Sequence, residues 1–153
     1  MRVFTIGPTG VSESDAPPAQ LPAQGHVWIA CSRPEFEAGW PQLQSTLQAL
    51  CGLQLVDLHV SDLLNAQLPS HFDYTSQYDL LVFRRLATGN GRAEGADTAR
   101  AGTARRGGPP ILRHIDTSPV GFAVFERVLL SVHPADCAAR DAYATRLLQA
   151  SST

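Results

Sequence analysis

The sequence predicts an α/β domain of the α+β type, a mixed β-sheet flanked by helices. Three observations lead there. Short β-rich runs such as VWIAC and DLLVF are bounded by Gly, Pro and Ser. One long helix marks its own start and stop. The elements follow the order β, β, α, α, several β, α, which is not the strict βαβα alternation of a doubly wound fold.

Residues 2–6 open the chain as a strand closed by Gly7 and Pro8, and residues 11–25, rich in Pro, Ala and Ser, read as a connector. Residues 27–31 form the next strand. Ser32 followed by Glu35 makes a capping box, and Pro34 suits a first helical turn because its missing N–H would have had no partner there. Pro41 is expected to kink or restart that helix; Leu43, Leu47 and Leu50 then recur at helical spacing until Gly52 closes it.

From Asp57 the pattern LHVSDLLN predicts a second, short helix with Leu58, Leu63 and Leu64 facing inward, ended by Pro69. Two strands follow at residues 71–74 and 78–86, with a turn at Ser76 and Gln77. Residues 87–110 hold almost no large apolar side chain and are expected to be a disordered loop. After them come ILRHID as a strand, VGFAVFERVLLSVH as a hairpin turning at Glu126 and Arg127, and a closing helix with Ala139, Tyr143 and Leu147 on one face.

With 153 residues and 44% hydrophobic composition the chain suits one compact domain, residues 1–153. Its 12 basic residues, all Arg, against 14 acidic ones give a net charge of -2, so no global charge argues for nucleic acid as a partner. Cys31, Cys51 and Cys137 are too few and too scattered for a disulfide framework or a structural zinc site, which fits a reducing cytoplasm. No apolar run approaches the ~20 residues that cross a bilayer.

Local constellations for catalysis are thin. His114 and Asp116 share one face of a strand and could bind a cation or orient an imidazole, though the solvent face of that strand is the plainer reading. His133 and Cys137 could pair an imidazole with a thiolate near a helix start, against the commoner buried cysteine. Arg100, Arg105 and Arg106 have no interleaved aromatic residue to build a nucleic-acid surface, and GNG and RRGG lack what a phosphate loop needs.

Three stretches, in order, resemble the cytoplasmic N-terminal domain of the CorA family of magnesium transporters. They are VWIA with Trp28 and Ile29, LHVSDLLN leading through a Pro into HFDYTSQYDLLVF, and VGFAVFERVLLSVHP. The resemblance implies a non-enzymatic regulatory domain on the cytoplasmic side of the membrane. It also implies partners outside this sequence: the domain's own stalk and transmembrane helices, and the other subunits of a homopentamer. The family's Gly-Met-Asn pore motif is absent here, so the chain reads as the soluble part of a longer protein or else as a degenerate stand-alone copy.

The resemblance further places Asp62 at a subunit boundary, where with a neighbour's carboxylate it would hold a regulatory divalent cation, Mg²⁺ first and Zn²⁺ second. A hard cation that keeps several waters needs only one or two carboxylates. Beside Ser61, Asp62 can equally be a helix-start residue, gaining ~0.3–2 kcal/mol from capping or the helix dipole without metal. A small stand-alone enzyme and a protein-interaction domain are the rival readings.

Overall fold

The computed structural model describes residues 1–86 and 117–150. Among them the order is β1 (Arg2–Gly7), β2 (Gly10–Ser14), β3 (His26–Ser32), α1 (Arg33–Cys51), α2 (Asp57–Leu64), β4 (His71–Tyr74), β5 (Asp79–Leu86), β6 (Thr117–Val124), β7 (Val128–His133) and α3 (Ala138–Ala150). The seven strands form one mixed sheet in the order β2-β1-β3-β7-β6-β5-β4. The expected class, a mixed sheet with flanking helices, is the class observed.

All strand neighbours are antiparallel except β3 and β7, which run parallel from Val27 opposite Val128 to Ser32 opposite His133. The sheet is thus two antiparallel blocks joined at one parallel seam. Trp28 fixes that seam by donating its indole N–H to Ser131 Oγ at 2.9 Å.

Alternation along the strands divides the side chains between two faces. Val3, Val27, Ile29, Leu80, Ala123, Leu130 and Val132 point to the face covered by α1 and α2, where they meet Phe36, Leu43, Leu47, Val60 and Leu63 in the main core. On the other face Phe4, Trp28 and Ala30 pack with Ala144 of α3 in a smaller cluster.

The capping box of α1 is present in both directions: Glu35 N–H donates to Ser32 Oγ at 3.3 Å, and Ser32 N–H donates to Glu35 Oε2 at 2.8 Å. Gly52, at φ 68°, ends the helix in the left-handed conformation that glycine adopts without strain. Of the two outcomes expected at Pro41, the restart does not occur: the proline lies on the exposed side and α1 continues through it. Gln44, on the buried side, holds the link to α2 by accepting from Leu55 N–H and donating to Leu55 O, both at 2.8 Å.

Three other expectations are corrected or bounded. Residues 11–25 are not wholly a connector, because Val11 to Ser14 belong to β2, which returns along β1 through a two-residue turn at Pro8 and Thr9. The rest of that stretch is tied down by Arg127, which donates to Pro22 O at 2.5 Å and Gly25 O at 2.9 Å. In α3 the inward residue is Ala144, with Leu147 and Leu148 partly buried, whereas Ala139 and Tyr143 are exposed. The expected loop at residues 87–110 and the ILRHID strand lie outside the described residues. No helix among the described residues is long and apolar enough to cross a membrane.

Candidate functional site

Helix α2 carries the candidate site, and its seating follows from two features. Its first residue is Asp57 and its N-cap, Val56, has no capping side chain, so the helix depends on packing rather than on a cap. Its inward residues are His59, Val60 and Leu63; Leu58 is 64% exposed, which corrects the expected Leu58, Leu63 and Leu64 stripe. The close approach to the sheet needs Gly121 in β6, where a Cβ would stand 2.3 Å from Leu63 Cδ2.

Sequence reading passed over His59, and it is the organising residue. Its ring is buried, with Nδ1 2.7 Å from Tyr78 Oη and Nε2 3.0 Å from Asp73 Oδ2. Asp73 is held below the usual carboxylate range by this hydrogen bond first and by the Tyr74 N–H second, so it is the acceptor and His59 Nε2 carries the hydrogen. In the neutral imidazole Nδ1 then accepts from the Tyr78 hydroxyl, which itself accepts from Val56 N–H at 3.0 Å. Burial pushes the Tyr78 phenol up, keeping it a hydroxyl donor at neutral pH.

Asp62 lies three residues on from His59, in the second half of α2, and this corrects the capping alternative. The helix begins five residues earlier at Asp57, so Asp62 caps nothing at its start. Its backbone carbonyl instead accepts the C-terminal Asn65 N–H at 3.2 Å. A carboxylate there meets the negative end of the helix dipole, an unfavourable placement worth a few tenths of a kcal/mol up to ~1. His71 of β4 stands against it, with Nε2 3.8 Å from Asp62 Oδ2.

Helix and strand therefore exchange partners in a crossed pattern: His59 with Asp73, and Asp62 with His71. Residues i and i+3 share a helix face and residues i and i+2 share a strand face, so two separate His–Asp pairs form side by side. The sequence carried this pattern as H-x-x-D in LHVSD and H-x-D in HFD. Among the described residues no three His, Cys, Asp or Glu side chains are grouped to hold a metal ion.

His133 and Cys137 do not form a catalytic pair. Both are buried, but His133 donates from Nδ1 to Pro134 O at 2.8 Å and accepts at Nε2 from Arg140 at 3.1 Å. Burial, aided by the Arg140 charge, lowers the pKa of His133, so neither nitrogen is placed to take a thiol proton. His114, Asp116, Arg100, Arg105 and Arg106 lie outside the described residues.

No family model matches the sequence, and no curated protein matches it either. Solved structures do match. The cytoplasmic domain of ZntB from Vibrio parahaemolyticus aligns with a TM-score of 0.61 at 13% identity, over 97% of this chain and 49% of that one. The CorA magnesium transporter of Methanocaldococcus jannaschii aligns at 0.59 and 14%, over 99% of this chain and 38% of that one. The full-length CmaX protein aligns at 0.58 and 14%, over 97% and 39%. The chain has the fold of the ZntB and CorA cytoplasmic domains and spans less than half the length of these chains.

Proposed function

We propose that this chain is the cytoplasmic regulatory domain of a CorA-like divalent-cation transporter, sensing the internal ion and helping to close the channel. The observation that carries this reading is the fold match over 97–99% of the chain to domains of ion transporters. In this reading the domain is non-enzymatic. It works on the cytoplasmic side of the membrane, joined to stalk and transmembrane helices beyond this sequence in a homopentamer.

The regulatory ion sits at Asp62. One carboxylate in water attracts a cation with only ~1 kcal/mol per unit charge at contact, so oxygen donors from a neighbouring subunit complete the site. The donors on this chain fit Mg²⁺ only in part: the Asp62 oxygens suit it, whereas the adjacent His71 imidazole is a donor that Zn²⁺ accepts and Mg²⁺ avoids. Mg²⁺ is accordingly the ion bridged by carboxylates across the boundary, and Zn²⁺ the one that would recruit His71. Either ion offsets the repulsion of facing acidic groups and favours the closed assembly, a coupling between ion level and gate.

The test is a chimera in which this chain replaces the matching cytoplasmic segment of the Methanocaldococcus jannaschii transporter. Current through the chimera should fall as internal Mg²⁺ rises, and Asp62→Ala should shift that fall to higher Mg²⁺ without altering ion selectivity. A chimera that assembles and conducts but ignores internal Mg²⁺ and Zn²⁺ would refute the sensing role.

A further inference from the structure

The first half of β6 runs past the end of its neighbour. The β6–β7 ladder extends from Gly121 opposite Val132 to Val124 opposite Leu129, so Thr117 to Val120 have no β7 residue opposite them in it. Two arginines take up the carbonyls of that stretch. Arg33, the first residue of α1, donates from Nη2 to Pro119 O at 2.8 Å. Arg84 of β5 donates from Nη2 to Thr117 O and from Nε to Thr117 Oγ1, both at 2.8 Å, and from Nη1 to Leu68 O at 2.9 Å. Thr117 and Pro119 are two residues apart on one strand, which sets the two guanidinium groups on acceptors ~6.6 Å apart.

Among the described residues no carboxylate pairs with either arginine. Glu35, the acidic residue in the first turn of α1, is turned to Ser32 N–H at 2.8 Å. Arg33 is half-buried, and its Nε is enclosed with no hydrogen-bond acceptor. Its pKa is lowered by burial first and by the Arg84 charge second. Enclosed polar groups are as a rule satisfied by protein, water or an ion, and a pair of like charges without a counter-charge repels.

We propose that Arg33 and Arg84 form a binding site for a small tetrahedral oxyanion of the phosphate class, seated where β6 outruns β7. Donors remain for it: Arg33 keeps its Nη1 group and Arg84 one Nη2 hydrogen. The positive end of the α1 dipole adds to the field. Charge selects the class of ligand. A phosphate group near neutral pH carries about 1.5–2 negative charges, which matches two guanidinium groups. A carboxylate carries one charge in a planar fork that a single arginine saturates. Because the guanidinium charge is delocalised, the anion neutralises Arg33 as a whole without having to touch the enclosed Nε. The site is separate from Asp62 and stands whether or not an ion binds there.

Inorganic phosphate, glycerol 3-phosphate, acetate and chloride are titrated into the 153-residue chain at fixed ionic strength, with calorimetry and ³¹P line width as readouts. Phosphate should saturate, and Arg33→Gln should weaken it about tenfold or more through loss of a charged donor. Arg33→Lys keeps the charge but not the fork and should lie between the two. Thermal midpoints without phosphate show which variants fold; if Arg33→Gln does not, Arg33→Lys and the competing anions decide. Glycerol 3-phosphate binding more tightly than inorganic phosphate assigns an esterified source, and weaker binding the free ion; either supports the site. No saturable phosphate binding, acetate or chloride binding as tightly, or wild-type phosphate affinity in the folded variants overturns the inference.

Discussion

His59 Nδ1 and Tyr78 Oη lie 2.7 Å apart with their rings edge to face, so one buried contact ties α2 to the start of β5. Replacing Tyr78 by Phe keeps the ring against Phe125 but leaves His59 Nδ1 without its donor and Val56 N–H without its acceptor. The expected loss is ~1–3 kcal/mol in urea unfolding. In a double-mutant cycle with His59→Leu the two losses should fall short of additivity by ~0.5–3 kcal/mol. Strict additivity would show that the pair does not act as a unit.

Stability should rise as pH climbs toward about 7, with His133 as a source. Burial lowers its folded-state pKa, whereas the unfolded imidazole takes a proton near ~6.5. Below that value the unfolded chain binds the extra proton first, so a penalty to folding appears there and grows until the folded imidazole protonates too. Thermal midpoints of His133→Asn, measured from pH 8 to pH 5, should show a flatter slope than wild type.

Gln44→Met should destabilise by ~1–3 kcal/mol, because it removes both partners of the buried Leu55 backbone while roughly conserving volume. The denaturant slope should not change. A loss below about half a kcal/mol would mean that water replaces the amide at Leu55.

Two glycines should respond oppositely to alanine. Gly25 has φ 109° and a Cβ there would stand 1.9 Å from Ile6 O, so Gly25→Ala should cost ~1–3 kcal/mol or more. Gly39 lies inside α1 with nothing within 4 Å of its virtual Cβ, and Gly39→Ala should gain ~0.4–1 kcal/mol. Differential scanning calorimetry of the two variants checks both signs.

Native-state alkylation should reach Cys51 before the other thiols. Cys31 and Cys137 are buried, and burial pushes the Cys31 thiol up to about 12, where almost no thiolate exists at neutral pH. Mass spectrometry of iodoacetamide adducts should therefore find Cys31 modified only under unfolding conditions. Rapid labelling of Cys31 in the folded protein would contradict its burial.

Local chemistry was legible in the sequence; long-range partnership was not. The Ser32 and Glu35 box, Gly52 and the β6–β7 hairpin act within a few residues, and the chain spells them out. Strand β2 escaped because VSES offers one apolar side chain and lies beside proline-rich chain. An eight-residue helix barely fixes the phase of its apolar stripe, so Leu58 was taken for inward and His59 was passed over. In α3 small alanines say little about facing. Asp62 was weighed as a helix-start residue although α2 begins at Asp57, and its neighbour His71 is a partner only because β4 folds back against α2.

The parallel seam between β3 and β7 sets the order in which the molecule can assemble. The β1–β3 block and the β4–β7 block each bring together antiparallel neighbours, but β3 must wait for a strand a hundred residues downstream. Such non-local pairing slows folding, since loop closure precedes its reward. During synthesis at ~5–20 residues per second, β3 would stand on the order of 5–20 s before β7 emerges. Helix α1 is made next and can roof the buried face of β3, but it leaves the strand's hydrogen-bonding edge open. The nascent chain is therefore most vulnerable to wrong pairing along VWIAC, the segment that ends beside the central strand of the finished sheet.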